Sequence, residues 1–176
     1  LMKIAFIKQK YVQHGGGEKY LSNLMSSCHN QGHDIHLIAT DWKQDPKPNY
    51  LTIHPVDINN RTRKTRALSF IKSTSECFER NNFDCIFSLE RTLGQQVWRA
   101  GDCIHAQWLK RKALYSPLYK NLFDRFSPSQ NLILDLEKKN IHSTPHIIAN
   151  SHLIKRDLLE CYPQTQAKVH VIHNGI

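Results

Sequence analysis

Apolar residues along the chain follow two rhythms: short unbroken runs, and longer stretches in which they recur every three or four positions. Short strand-sized segments stand at 3–8 (KIAFIK), 33–40 (HDIHLIAT), 83–89 (FDCIFSL), 95–100 (QQVWRA), 145–151 (PHIIANS) and 168–175 (KVHVIHNG), while 50–56 (YLTIHPV) alternates after a proline-rich loop at 44–49. Runs of that length read as strands, and those at 3–8, 83–89 and 168–175 as buried ones. Between them, 17–31 places Tyr20, Leu21, Leu24, Met25 and Cys28 on one helical face, and Gly32 closes that helix. Residues 62–81 predict a basic, then amphipathic, helix. A helical region over 104–140 is interrupted at Pro117 and Pro128, and Ser151 is placed to cap a helix over 152–161. Strands alternating with helices predict one α/β domain over 1–176. Its sheet is Rossmann-like, doubly wound and mainly parallel, with right-handed crossovers and helices on both faces. Ligands of such sheets collect at the carboxyl ends of the strands, which directs attention to the loops after Lys8, Leu89, Ala100 and Ala149.

Composition narrows the partner more than the fold. With 40% hydrophobic and 22% charged residues the chain has the make-up of a folded globular protein, and its apolar runs are too short to span a membrane. No leader pattern is visible at the N-terminus, and the five cysteines are scattered without a C-x-x-C pair, so reduced thiols in the cytoplasm are expected. The formal net charge of +9 points to an anionic partner: nucleic acid, an acidic membrane surface or a phosphorylated substrate. Solubility alone is the plainer account. No helix-turn-helix, RRM or zinc-finger pattern supports nucleic acid.

Three consecutive glycines, Gly15, Gly16 and Gly17, followed by Glu18, separate the first strand from the first helix. Glycine suits positive φ or a close approach to the backbone, and a helix N-terminus attracts anions. Neither G-x-G-x-x-G nor G-x-x-x-x-G-K-[ST] is present, so a ligand loop and a tight turn both remain open. Asp102 follows the VWRA strand, with His105 three residues on. A carboxylate there can hold or deprotonate a sugar hydroxyl, or cap a helix over 103–112. Glu90 and Arg91 sit at another strand end, where they could orient hydroxyls and phosphate or form a surface ion pair. Ser151 and Lys155 are positioned for a donor phosphate, though capping and solvation also explain them. His29 and His33 are spaced i, i+4, but Gly32 intervenes where the helix should end and no third ligand follows at a recognisable spacing, so no metal is expected.

Two basic stretches account for much of the charge. Arg61, Arg63, Lys64 and Arg66 lie in RTRKTR, before a helix. Lys110, Arg111 and Lys112 are interleaved with Trp108, Tyr115, Tyr119 and Phe123. Such mixtures suit the boundary of an anionic membrane; alternatively the aromatics are core and only the charges face water.

Taken in order, MKIAFIKQKY, GGGEKYLSNLM and GHDIHLIAT resemble the N-terminal domain of GT-B glycosyltransferases of family 4. VWRAGDCIHAQWLKRK resembles the acceptor-site segment of bacterial lipopolysaccharide core glycosyltransferases, and IIANSHLIKRDLLECYPQTQAKVHVIHNGI the end of that N-domain. The resemblance implies transfer of a hexose from a nucleotide-sugar co-substrate (UDP- or GDP-hexose), retaining and without metal or other cofactor. The acceptor would be a membrane-associated glycolipid such as lipopolysaccharide core, reached from the inner face of the cytoplasmic membrane. It further implies that Asp102 and His105 serve catalysis, and that Gly15–Gly17, Glu18, Glu90, Arg91, Ser151 and Lys155 contact substrates. A second, donor-binding domain would follow Ile176, and this half alone would be inactive. The rival reading is a non-catalytic basic module that binds nucleic acid or an anionic membrane.

Overall fold

The computed structural model describes residues 1–12, 15–43, 46–101, 103–115 and 127–174. Seven parallel strands form one sheet: β1 (Lys3–Ile7), β3 (Asp34–Ala39), β5 (Leu51–Pro55), β6 (Cys85–Ser88), β7 (Val97–Ala100), β8 (His146–Ala149) and β9 (Val169–Val171). Their order is β5-β3-β1-β6-β7-β8-β9. The chain therefore builds outward from β1 on one side, returns to pair β6 with β1, and builds outward again. The junction between β1 and β6 is the switch point, where loops leave toward opposite faces and open a crevice at the carboxyl edge.

Alternation along β1 shows why its run is apolar without a break. Ile4 and Phe6 pack with Leu21 and Met25 of helix α1 (Gly16–Asn30), while Ala5 and Ile7 pack with Phe70 and Cys77 of helix α2 (Arg63–Arg80). Both faces are buried, and each large side chain so removed from water contributes about 1.5–3 kcal/mol. A third cluster joins Trp98 and Ala100 of β7 and Ile147 and Ala149 of β8 to Ile141 and Leu158. Those two residues lie in helices α4 (Pro128–Ser143) and α5 (His152–Cys161). Helix α3 (His105–Tyr115) lies against both of these helices.

The elements follow the predicted order with local differences. Helix α1 begins at Gly16, one residue early; a 3-10 turn over Pro163–Lys168 takes Lys168 from the last strand, which ends at Val171. Pro128 opens α4 at its first turn, where a missing N–H costs nothing; Pro117 lies outside the described residues. A two-stranded parallel sheet of β2 (Lys10–Val12) and β4 (Asp41–Lys43) has no counterpart in the predicted elements. It prolongs the β1–β3 pair beyond a bend, with Tyr11 stacked on Trp42 at 4.4 Å. Among the described residues no helix is long and apolar enough to cross a membrane.

Candidate functional site

Loops and helix starts at the carboxyl edge of the sheet build the site, and the glycines belong to the first of them. Gly15 precedes α1 with extended backbone (φ −95°, ψ 147°), and Gly16 and Gly17 form the first helical residues. None of the three has positive φ; Gly32 and Gly94 do. A Cβ on Gly15 would collide with the Glu18 carboxylate, whereas one on Gly16 or Gly17 would meet nothing within 4 Å. Turn geometry therefore does not require these glycines, and nothing in the described chain occupies the space over Gly16 and Gly17. Gly15 at the N-cap offers no capping side chain, and among the described residues no side chain is hydrogen-bonded to the first amides of α1, at the positive helix end.

Glu90 and Arg91 leave β6 on a loop held from beneath by buried polar groups. Ser88 Oγ and Thr92 Oγ1 are 2.8 Å apart, Gln95 Nε2 donates to Thr144 Oγ1 at 2.8 Å, and Asn140 Nδ2 donates to the Thr92 carbonyl at 2.8 Å. These bonds fix one arrangement of the loop, although Asn140 Oδ1 is buried without a hydrogen-bond partner among the described residues. Glu90 then reaches β1's end, accepting from the Gln9 amide at 3.2 Å and pairing with Lys8 at 3.4 Å. Arg91 turns the other way, to Glu137 (3.4 Å) and the Cys103 carbonyl (3.1 Å). The two are not a surface pair with each other; each ties the loop to a different element.

Glu137 of α4 is fully buried and is absent from the residues predicted for the site. Its carboxylate accepts the backbone N–H of His105 at 2.6 Å, that of Ala106 at 3.0 Å, and the Tyr162 hydroxyl at 3.2 Å. It thus serves the N-terminus of α3 from another helix. Burial, and next the Glu137 charge, push the Tyr162 hydroxyl well above the usual tyrosine range, so it remains a donor. The helix expected over 103–112 begins at His105 instead, and Glu137 takes its first amides. Asp102 lies outside the described residues. His105 is half-buried, with Nε2 2.7 Å from Gln130 Oε1 and its ring stacked on Trp108. One sequence signal points to Glu137: it stands with Asn140 in the Ile133, Leu136, Ile141 stripe of α4, a charged and an amide group among core positions.

Arg99, likewise absent from the predicted site, is buried in β7 among β-strand apolar residues. Its guanidinium lies over the Tyr20 ring at 4.2 Å, fills the space beside Gly101, and donates to Asn174 Oδ1 at 2.7 Å. Asn150 donates to the Gly101 carbonyl at 2.9 Å. The loops after β7, β8 and β9 are thereby joined to α1. Glu90, Arg91 and Gly101, with Trp98 and Arg99, line one small cleft at this edge.

Other predicted residues are engaged elsewhere. Ser151 Oγ accepts from the Ile154 amide at 3.3 Å and caps α5, and Lys155 Nζ donates to the Val169 carbonyl at 3.0 Å. Arg111 is paired with buried Asp157 at 2.7 Å, Lys110 approaches Cys161 Sγ at 3.5 Å, and Lys112 lies over Trp108 at 5.1 Å. Trp108, Leu114 and Tyr115 are exposed, so these aromatics are not core; Tyr119 and Phe123 lie outside the described residues. Arg63 and Arg66 face a second cleft shared with Glu90 and Arg91, while Arg61 and Lys64 are exposed outside it. Among the described residues, no three His, Cys, Asp or Glu side chains come together as metal ligands.

A doubly wound sheet with a polar carboxyl edge suits many activities, and comparison with known proteins decides the family. The model of Glycosyltransferase Family 4 matches residues 14–176. The chain belongs to that family. No curated protein sequence matches it. Its fold is shared with WaaG, a glycosyltransferase involved in lipopolysaccharide biosynthesis (TM-score 0.81, 16% identity, covering 96% of this chain and 44% of WaaG). The lipopolysaccharide outer core galactosyltransferase WaaB is also similar (TM-score 0.60, 14% identity, 98% and 46% covered). So is Anabaena HepE, solved with UDP and glucose (TM-score 0.55, 14% identity, 100% and 45% covered). The chain thus spans less than half the length of each. The Rossmann-like family 4 domain is that of the N-terminal half of GT-B enzymes, as the sequence resemblance implied.

Proposed function

We propose that this family 4 domain is the acceptor-side half of a two-domain hexosyltransferase. A UDP- or GDP-hexose is held mainly by a second domain, and the sugar passes to a membrane-associated glycolipid of the lipopolysaccharide-core type. The observation that carries the reading is the arrangement of the carboxyl edge. Bare α1 amides at Gly16 and Gly17, a Glu90–Arg91 loop fixed by buried hydrogen bonds, and the Glu137-anchored start of α3 all meet there. In this reading Glu90 binds acceptor hydroxyls. Asp102, between Gly101 and Cys103, approaches the reacting hydroxyl, with His105 beside it. The open space over Gly16 and Gly17 admits a sugar or phosphate to the backbone.

Trp108, Leu114 and Tyr115, exposed beside Lys110 and Lys112 on α3, support contact with an anionic membrane, where aromatics sit at the headgroup level. Ser151 and Lys155, already engaged by backbone groups, contribute to the donor side only if they exchange those partners. The test is transfer of labelled hexose from UDP- and GDP-sugars to truncated lipopolysaccharide cores by the enzyme that carries this domain, against Asp102→Asn. Transfer that fails with every core acceptor, or that is untouched in Asp102→Asn, would sink the reading.

A further inference from the structure

A cleft of about 230 Å³ opens between α2, α4 and the ends of β1 and β6, at the switch point of the sheet. Its α2 wall consists of Arg63, Arg66, Ala67 and Phe70, which share one helical face at i, i+3, i+4 and i+7. Ile133 and Leu136 of α4 close the apolar side, and Gln9, Glu90 and Arg91 stand at the sheet edge.

The charges around this cleft do not cancel. Glu90 is paired with Lys8 and Arg91 with Glu137, whereas neither Arg63 nor Arg66 has a carboxylate partner among the described residues. Both occupy the first turns of α2, which contains no acidic residue there. Cations at the positive end of a helix are locally unfavourable. The helix start is nevertheless held firmly by a reciprocal cap: Thr65 N–H donates to Thr62 Oγ1 at 3.0 Å, and Thr62 N–H to Thr65 Oγ1 at 2.9 Å. The RTRKTR segment thus fixes two uncompensated guanidiniums on the rim of an apolar-floored crevice. An arriving anion would relieve both their mutual repulsion and the unfavourable helix-end placement, and arginine forks match phosphate geometry.

We propose that this cleft binds a phosphorylated sugar, its phosphate held by Arg63 and Arg66 and its ring lying over Phe70, Ile133 and Leu136. At about 230 Å³ it is smaller than the usual 300–1,000 Å³ of drug-sized ligand sites, which suits one sugar phosphate and not a whole nucleotide-sugar. That the phosphate is one carried by the acceptor rests on the glycosyltransferase reading; the binding itself does not.

The experiment is titration of the 176-residue chain with glucose 6-phosphate, followed by backbone amide NMR at low salt. Saturable shifts are expected in 62–70 and at Glu90 and Arg91, with none from glucose. Arg66→Gln should weaken binding roughly tenfold, and the double variant Arg63→Gln/Arg66→Gln should abolish it. Arg61→Gln, which removes the same charge outside the cleft, should change it less than about twofold. Equal weakening by Arg61→Gln, or no saturable binding, overturns the site. Phosphatidylglycerol vesicles should not displace the sugar phosphate; displacement would overturn the sugar assignment in favour of a lipid headgroup. A double variant that loses phosphate binding yet transfers hexose to phosphorylated cores at the normal rate refutes the acceptor role alone. Absence of transfer with phosphate binding intact refutes only the glycosyltransferase reading.

Discussion

Glu137 and His105 stand 32 residues apart, joined by a 2.6 Å hydrogen bond from the His105 backbone N–H to the buried Glu137 carboxylate. The same carboxylate receives Ala106 N–H and Tyr162 O–H and pairs with Arg91. One side chain therefore sets both where α3 starts and where the β6–β7 loop is held. Glu137→Gln keeps the shape but turns an NH2 toward donors and removes the charge facing Arg91. A loss of about 3 kcal/mol in urea unfolding is expected. A loss below about 1 kcal/mol would show that the network does not hold the edge.

This residue also shows what a sequence can and cannot reveal here. The strands around β1 are legible because a parallel sheet covered on both faces demands unbroken apolar runs, and Ile4 to Ile7 carry that demand locally. The face of α1 is legible for the same reason: Leu21 and Met25 recur at the helical period. The roles of Arg99 and Glu137 are not, because their partners at Asn174 and His105 come from distant parts of the chain. The β2–β4 sheet escapes notice since three residues per strand show no period. Arg111 reads as surface charge until the fold brings Asp157 beneath it.

Lys168 closes the C-terminal end of α4. Its ammonium donates to the carbonyls of Ile141, His142 and Thr144 at 2.5, 3.1 and 2.9 Å, satisfying acceptors that the helix end leaves open. Burial lowers its pKa, yet the three carbonyls require it as a donor. Lys168→Met retains the aliphatic stem and removes the donor, with an expected cost of about 2 kcal/mol. Unchanged thermal unfolding in this variant would mean that water replaces the ammonium without loss.

A histidine pair makes stability depend on pH. His36 Nε2 is 3.0 Å from Asp34 Oδ2, and its Nδ1 is 2.9 Å from His54 Nε2. Phe83 packs on both rings. Burial lowers the His54 pKa, with the His36 and Lys3 charges adding to it and Asp34 opposing. The unfolded chain thus binds more protons just below the ordinary histidine value of about 6.5. This contribution to stability is complete above that pH. It is lost progressively as pH falls through about 6.5 toward the lower folded value. Urea midpoints should fall between about pH 7.5 and 5.5, and His54→Gln should flatten the decline. An equally steep decline in the variant would assign it to other groups.

The three glycines before α1 allow the sharpest separation of folding from function. Gly17 has helical backbone without positive φ, and a Cβ there meets no atom within 4 Å. Gly17→Ala should therefore stabilise the domain by about 0.5–1 kcal/mol through the unfolded chain's lost freedom. Gly16→Val places a branched side chain in the same open space and should leave the melting temperature within a few degrees of the original. If that space admits a sugar or phosphate to the α1 amides, Gly16→Val will reduce hexose transfer at least tenfold in the enzyme that carries this domain. Gly17→Ala, with its smaller side chain, will reduce it less. The comparison is transfer rate against melting temperature for both variants. Full activity in a well-folded Gly16→Val protein would mean that no ligand comes near this backbone, and the ligand-loop assignment would fall.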